Sequence, residues 1–184
     1  MTLNDITVED MIQNIVDAWN ACSDQQKLDG YDWYWEAHTL AKLIGRGNVR
    51  MGAGVIAALS PNKSWNINKR IALRTLDGDV SGHVGNAIGK ATAIMHGADP
   101  ETVLPMERKT GHFFMNIVDP DDPNWVTIDR HAYRVATCEW DNGDPRINRK
   151  MYAACVEAYK RAAAILGQSP STVQAATWVW ARER

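Results

Sequence analysis

Apolar residues along this chain recur at helical spacing rather than in alternation, and the pattern predicts helices from end to end. In "TVEDMIQNIVDAWNACS", Ile12, Ile15, Val16 and Trp19 share one face, and Thr7 and Asp10 stand in the capping-box relation at its start. "YDWYWEAHTLAKLIGRG" predicts a second helix, closed by Gly45 or Gly47. "NVRMGAGVIAALSP" is a third, strongly apolar one that must end near Pro61, because the residue before a proline avoids helical dihedrals. "SWNINKRIALRTL" follows almost at once and stops before the turn "DGDVSG".

"VGNAIGKATAIMHG", a short turn of helix at "PETVL", and two runs beginning near Lys109 and Asp129 come next. The last third holds "NRKMYAACVEAYKRAAAILG", capped by Asn148, and "SPSTVQAATWVWARER", with Ser169 as N-cap and Pro170 at the first helical position. Only "NWVTID" could extend briefly. The expectation is an all-α fold, a compact two-lobed helical domain over residues 1–184 with roughly eight to ten helices.

Composition changes this picture little. With 184 residues, 45% apolar and 23% charged, the chain has the balance of a globular domain able to bury a core. No apolar run reaches the ~20 residues that cross a bilayer. The start, "MTLNDITVED", lacks the basic-then-apolar order of a signal peptide, so the expected location is the cytoplasm, with no membrane partner. Cys22, Cys138 and Cys155 are far apart, and the histidines at 38, 83, 96, 112 and 131 lack ligand spacing. Neither a metal nor a cofactor is expected. The net charge of −2 is not that of a nonspecific DNA binder, yet Pro61 to Leu76 carries four basic residues and no acidic one.

Three segments carry a resemblance. "GVIAALSPNKSWNINKRIALRTL" resembles the "LLSxQxxDxxVNKAxxxL" segment of the helix-hairpin-helix DNA glycosylases, the endonuclease III superfamily, through Ser60, Asn62, Asn68 and Lys69. "NAIGKATAI" is similar to the helix that precedes the family's hairpin. "LPMERKT", and "IDRHAYRV" after it, resemble "LPGVGRKT" and "VDTHVxRV": Leu104-Pro105, Arg108-Lys109-Thr110, Ile128-Asp129, His131 and Arg134-Val135. The order and spacing agree over residues 48–138, and small glycosylase-like proteins of tailed phages are the most similar type, which would place the protein in the host cytoplasm. "MER" stands in place of "GVG", and the segment is one residue shorter. Glu107 would put negative charge where the family's hairpin meets a DNA phosphate.

The resemblance implies a fold, a DNA partner carrying a damaged or modified base, and two catalytic residues. Lys109 matches the nucleophile of the lyase-type enzymes, and Asp129 the carboxylate of the active members. Breaking an N-glycosidic bond leaves positive charge at C1′, which a carboxylate stabilises. A lysine attacks C1′ only as the neutral amine, which partial burial or a neighbouring cation such as Arg108 would favour. The target nucleotide must leave the stack, at a cost of a few kcal/mol. The resemblance places the wedge that fills the gap in "SPNKSW", at Asn62, with Trp65 as a stacking candidate. Lys63, Lys69, Arg70 and Arg108 are the expected backbone contacts.

Plainer readings stand beside these. Asp129 directly before "RHAYRVA" is a good N-cap, a role worth ~1 kcal/mol and compatible with catalysis. Lys109 alone reads as a solvated lysine, and the 61–76 basic run as the wet face of a helix. His131 is expected to hydrogen-bond locally. Of the eight tryptophans, Trp19, Trp35, Trp178 and Trp180 fit core or lobe-packing positions, while Trp33 and Trp65 fall near expected helix ends, where bases can stack. Two alternatives to base excision remain on the same scaffold: modification of a flipped base, and a catalytically inactive DNA- or protein-binding domain.

Overall fold

The structure, a computed structural model, describes residues 6–141 and 143–184. Among these residues there are ten α-helices and no strand: α1 (Val8–Ala21), α2 (Asp24–Ile44), α3 (Val49–Ala58), α4 (Trp65–Arg74), α5 (Gly85–Met95), α6 (Pro100–Val103), α7 (Lys109–Val118), α8 (Arg130–Thr137), α9 (Arg149–Leu166) and α10 (Pro170–Arg182). Among the described residues no helix is long and apolar enough to cross a membrane. The chain forms two compact units, one of Met1–Tyr34 with Pro120–Arg184 and one of Trp35–Asp119.

The local signals act where the sequence puts them. Thr7 and Asp10 form a reciprocal capping box on α1, Asn148 caps α9 through Met151 N–H, and Ser169 caps α10 through Thr172 N–H. One start lies earlier than expected. α2 begins at Asp24, not near Tyr31, because Ser23 and Gln26 make a second capping box: Ser23 N–H donates to Gln26 Oε1 (2.8 Å) and Gln26 N–H to Ser23 Oγ (3.2 Å). The "NWVTID" segment is not a strand; Val126, Thr127 and Ile128 are buried.

In the first unit α1 packs on α8 and α9, and α10 on the same two helices. Met11, Ile15, Val126, Ile128, Val135, Tyr159 and Val173 form its centre. Gly30, inside α2, permits close approach to α10: a Cβ there would lie 2.4 Å from Ala176 N and 2.5 Å from its Cα. Tyr34 O–H, one turn on, donates to Gln174 Oε1 (3.1 Å). In the second unit α3 is the central helix, buried from Gly52 to Ala58 and packed against α5 and α7. A helix apolar all round must be enclosed. Its last turn is closed by Asn68 of α4, whose Nδ2–H donates to Ile56 O (3.1 Å), so this half of the Asn-Lys pair is structural.

Gly30→Ala is expected to lower stability by about 3 kcal/mol, since the new methyl meets backbone rather than a movable side chain. Urea unfolding read by circular dichroism checks this, and an unchanged midpoint would show that the two helices separate freely.

Candidate functional site

In the second unit the expected hairpin is a tight turn between α6 and α7. Arg108 N–H donates to Pro105 O (3.1 Å), and the backbone of Met106 lies against α7, where a Cβ on Gly111 would sit 2.3 Å from Met106 Cα. Glu107 at the turn is exposed, as is Arg108, which is the N-cap residue of α7 and makes no side-chain cap bond. Lys109 is the first residue of α7 and is exposed. The partial burial expected of Lys109 is absent, and the neighbouring cation is Arg108.

The loop after α3 carries Asn62 and Lys63. Asn62 is exposed and left-handed (φ +57°), and Lys63 N–H closes a turn onto Ser60 O (3.1 Å). Trp65 opens α4 half-buried, with its ring edge-on to Phe113 at 6.4 Å and the Lys69 ammonium 5.6 Å from its centre. Phe113 is one turn after Lys109 on α7, so Trp65 packs on the face that Lys109 begins. Arg70 is exposed. Arg74 is otherwise occupied: it donates to Ser81 O (3.0 Å) and stands 3.5 Å from Asp79. The basic run thus offers fewer cations to a partner than its sequence suggests.

Asp129 lies in the first unit, as the N-cap of α8. Its Oδ1 accepts from His131 N–H and Ala132 N–H, both at 2.9 Å, and its Oδ2 from the indole N–H of Trp178 at 3.0 Å. The capping reading is correct, and the carboxylate is half-buried. Trp178 is itself surrounded: Trp33 meets it edge-on at 6.2 Å, His131 edge-on at 6.3 Å, and the Arg182 guanidinium lies 4.5 Å from its ring centre.

Burial pushes the His131 ring toward its neutral form, as do Arg130, Arg134 and Arg182, while Asp129 opposes them. The local bond expected of His131 is present, with Arg130 Nε donating to Nε2 at 3.4 Å. Beneath this layer, burial raises the Tyr34, Tyr152 and Tyr159 phenols far above their usual range.

One expectation about the indoles changes. Trp33 is not near a helix end, because α2 starts at Asp24; it lies inside that helix against Tyr34 (4.7 Å) and Trp178. Trp19, Trp35, Trp178 and Trp180 are half-buried, and Trp19 and Trp180 pack against the core of the first unit. Nothing in the sequence near Asp129 pointed to Trp178, Trp33 or Arg182. Among the described residues no cluster of three or more His, Cys, Asp or Glu could hold a metal ion.

Trp178→Phe keeps the ring but leaves Asp129 Oδ2 without its donor, and is expected to cost about 1–2 kcal/mol. Asp129→Ala, which also uncaps α8, should cost more; equal losses in urea unfolding would mean that the cap adds nothing beyond the indole bond, and no loss in Trp178→Phe that the indole bond contributes nothing. His131 gives a pH dependence of known sign. Its folded-state affinity for protons is depressed, so the unfolded chain takes up protons first, and stability falls as pH drops through the imidazole range. A flatter stability profile in His131→Gln would confirm the source, and an unchanged one would refute it.

No curated protein and no solved structure matches this chain. A family model, described as a family of unknown function (DUF7178), matches residues 1–184, and the chain belongs to that family.

Proposed function

We propose that this protein is a DNA base-excision enzyme, an N-glycosylase with Schiff-base lyase chemistry, on a fold like that of the helix-hairpin-helix DNA glycosylases. It would act on a damaged or modified base turned out of the stack. The observation that carries the reading is the setting of Asp129. Its carboxylate is held by two backbone N–H groups and one indole N–H at the start of α8. A carboxylate has about four lone-pair positions. Three are taken, which fixes the group and leaves room to face a cationic C1′.

Lys109 is the proposed lyase nucleophile from its place as the first residue of α7, directly behind the Pro105–Arg108 turn. In this chemistry the C1′–N bond breaks and the base leaves with its electron pair and gains a proton. Lysine Nζ bonds to C1′ and gives up a proton; the C1′–O4′ bond then breaks, O4′ takes the second Nζ proton, and the C1′=Nζ imine remains. Asp129 would balance the charge at C1′. Asn62 and Trp65 would serve as wedge and stacking surface, with Lys63, Lys69, Arg70 and Arg108 as DNA contacts. A second reading, a DNA- or protein-binding scaffold without catalysis, is favoured by exposed Glu107 at the turn, where the hairpin of the DNA glycosylases meets phosphate.

Borohydride treatment with abasic-site DNA separates the two. The expected outcome is a covalent adduct that disappears in Lys109→Ala and falls about a hundredfold in rate in Asp129→Asn. Absence of any adduct, with no release of a damaged base from duplex or single strand, rules out excision. An adduct that persists in Lys109→Ala removes the lysine from the reaction.

A further inference from the structure

The loop that carries Asn62 is gripped by a histidine outside the recognised motifs. His83 Nε2 lies 2.8 Å from Pro61 O, and Val84 N–H lies 2.7 Å from His83 Nδ1. A carbonyl oxygen can only accept and a backbone N–H can only donate. The two partners therefore select one tautomer, with the proton on Nε2 and a lone pair on Nδ1. An imidazolium would turn a second N–H against that of Val84, so a proton added at Nδ1 must break that bond or rotate the ring away from Pro61.

We propose that His83 is a positioning residue for the 60–64 loop, holding it only as the neutral imidazole, so that proton uptake by His83 weakens the loop's grip on nucleic acid. The loop needs an outside hold. Asn62 has a backbone conformation that non-glycine residues seldom adopt, and the turn is closed internally by one backbone bond, Lys63 N–H to Ser60 O. The segment bearing His83 is itself anchored to α4. Arg74 donates to Ser81 O and faces Asp79, whose N–H returns to Arg74 O (3.2 Å). The charged groups on the surrounding elements are Lys63 in the loop, Lys69, Arg70 and Arg74 on α4, Asp77 and Asp79 before His83, and Lys90 on α5. None of them takes a ring nitrogen of His83, since both are committed.

The ligand part of this inference rests on the base-excision reading; the latch does not. The sign separates it from ordinary electrostatics. Acid adds positive charge and tightens binding to phosphate in general, whereas release of this loop loosens it. Nitrogen-resolved NMR of the full chain from about pH 8 to about pH 5.5 should show the Nε2–H tautomer at the upper end. The Asn62, Lys63 and Val84 amide signals should move with the ring titration and hold still in His83→Gln. A ring that titrates without moving those amides, or the opposite tautomer, overturns the latch.

Binding to an abasic-site duplex at fixed salt, by anisotropy, should weaken about five- to tenfold over the same range. His83→Gln should flatten the profile, and His83→Ala should bind more weakly throughout. Unchanged or tighter binding in acid overturns the link to nucleic acid. A working latch with no duplex binding at any pH refutes the base-excision reading and leaves the latch standing.

Discussion

A carboxylate at the half-buried start of a helix is held in one place only if donors take its lone pairs, and Asp129 is held by three. Two are the first free N–H groups of α8, which any N-cap would satisfy. The third is the indole of Trp178, from α10. This one group therefore ties the buried 126–128 segment, α8 and α10 together. Trp33, His131 and Arg182 then hold the indole in its orientation. The same bonds that stabilise the first unit fix the group that an excision reaction would need at C1′. The two oxygens divide the contacts, Oδ1 capping α8 and Oδ2 accepting from Trp178.

The second unit follows from a different constraint. α3 is too apolar to show a face to water, so helices enclose it and its last carbonyls need partners from elsewhere. Asn68 supplies one at Ile56 O, which draws α4 across the end of α3 and makes the 60–64 loop short. A short loop with a left-handed Asn62 is the price of that crossing, and the His83 contact at Pro61 O steadies it. The turn before α7 is tight for a related reason, since Gly111 leaves no side chain to hold Met106 away.

The tryptophans share one physical solution. Each is half-buried, and several carry a cation over the ring: Lys27 on Trp19, Lys69 on Trp65, Arg182 on Trp178, and Arg184 on Trp140 and Trp180. An indole placed at the rim buries most of its area while its N–H can still reach a polar partner, and the exposed face suits a guanidinium or ammonium. This explains why a chain with so many tryptophans places none of them at a core centre.

Most of the helices were legible from spacing and caps alone: Thr7 with Asp10, Asn148, Ser169 with Pro170, and the stop before Pro61 all act locally. The early start of α2 was written in Ser23 and Gln26 as well, but Gly30 behind them hid it, because glycine in a helix is explained only by the backbone it meets, here Ala176. Asp129 as a cap could be read from its neighbours. That its other oxygen meets Trp178 could not, since the two lie 49 residues apart and no periodicity links them. The sequence by itself determined the helices and their ends, because those depend on backbone geometry within a turn or two. Only the tertiary structure decided which indole meets which carboxylate and which histidine grips which loop, because those pairings arise when distant segments are packed and their polar groups must find partners.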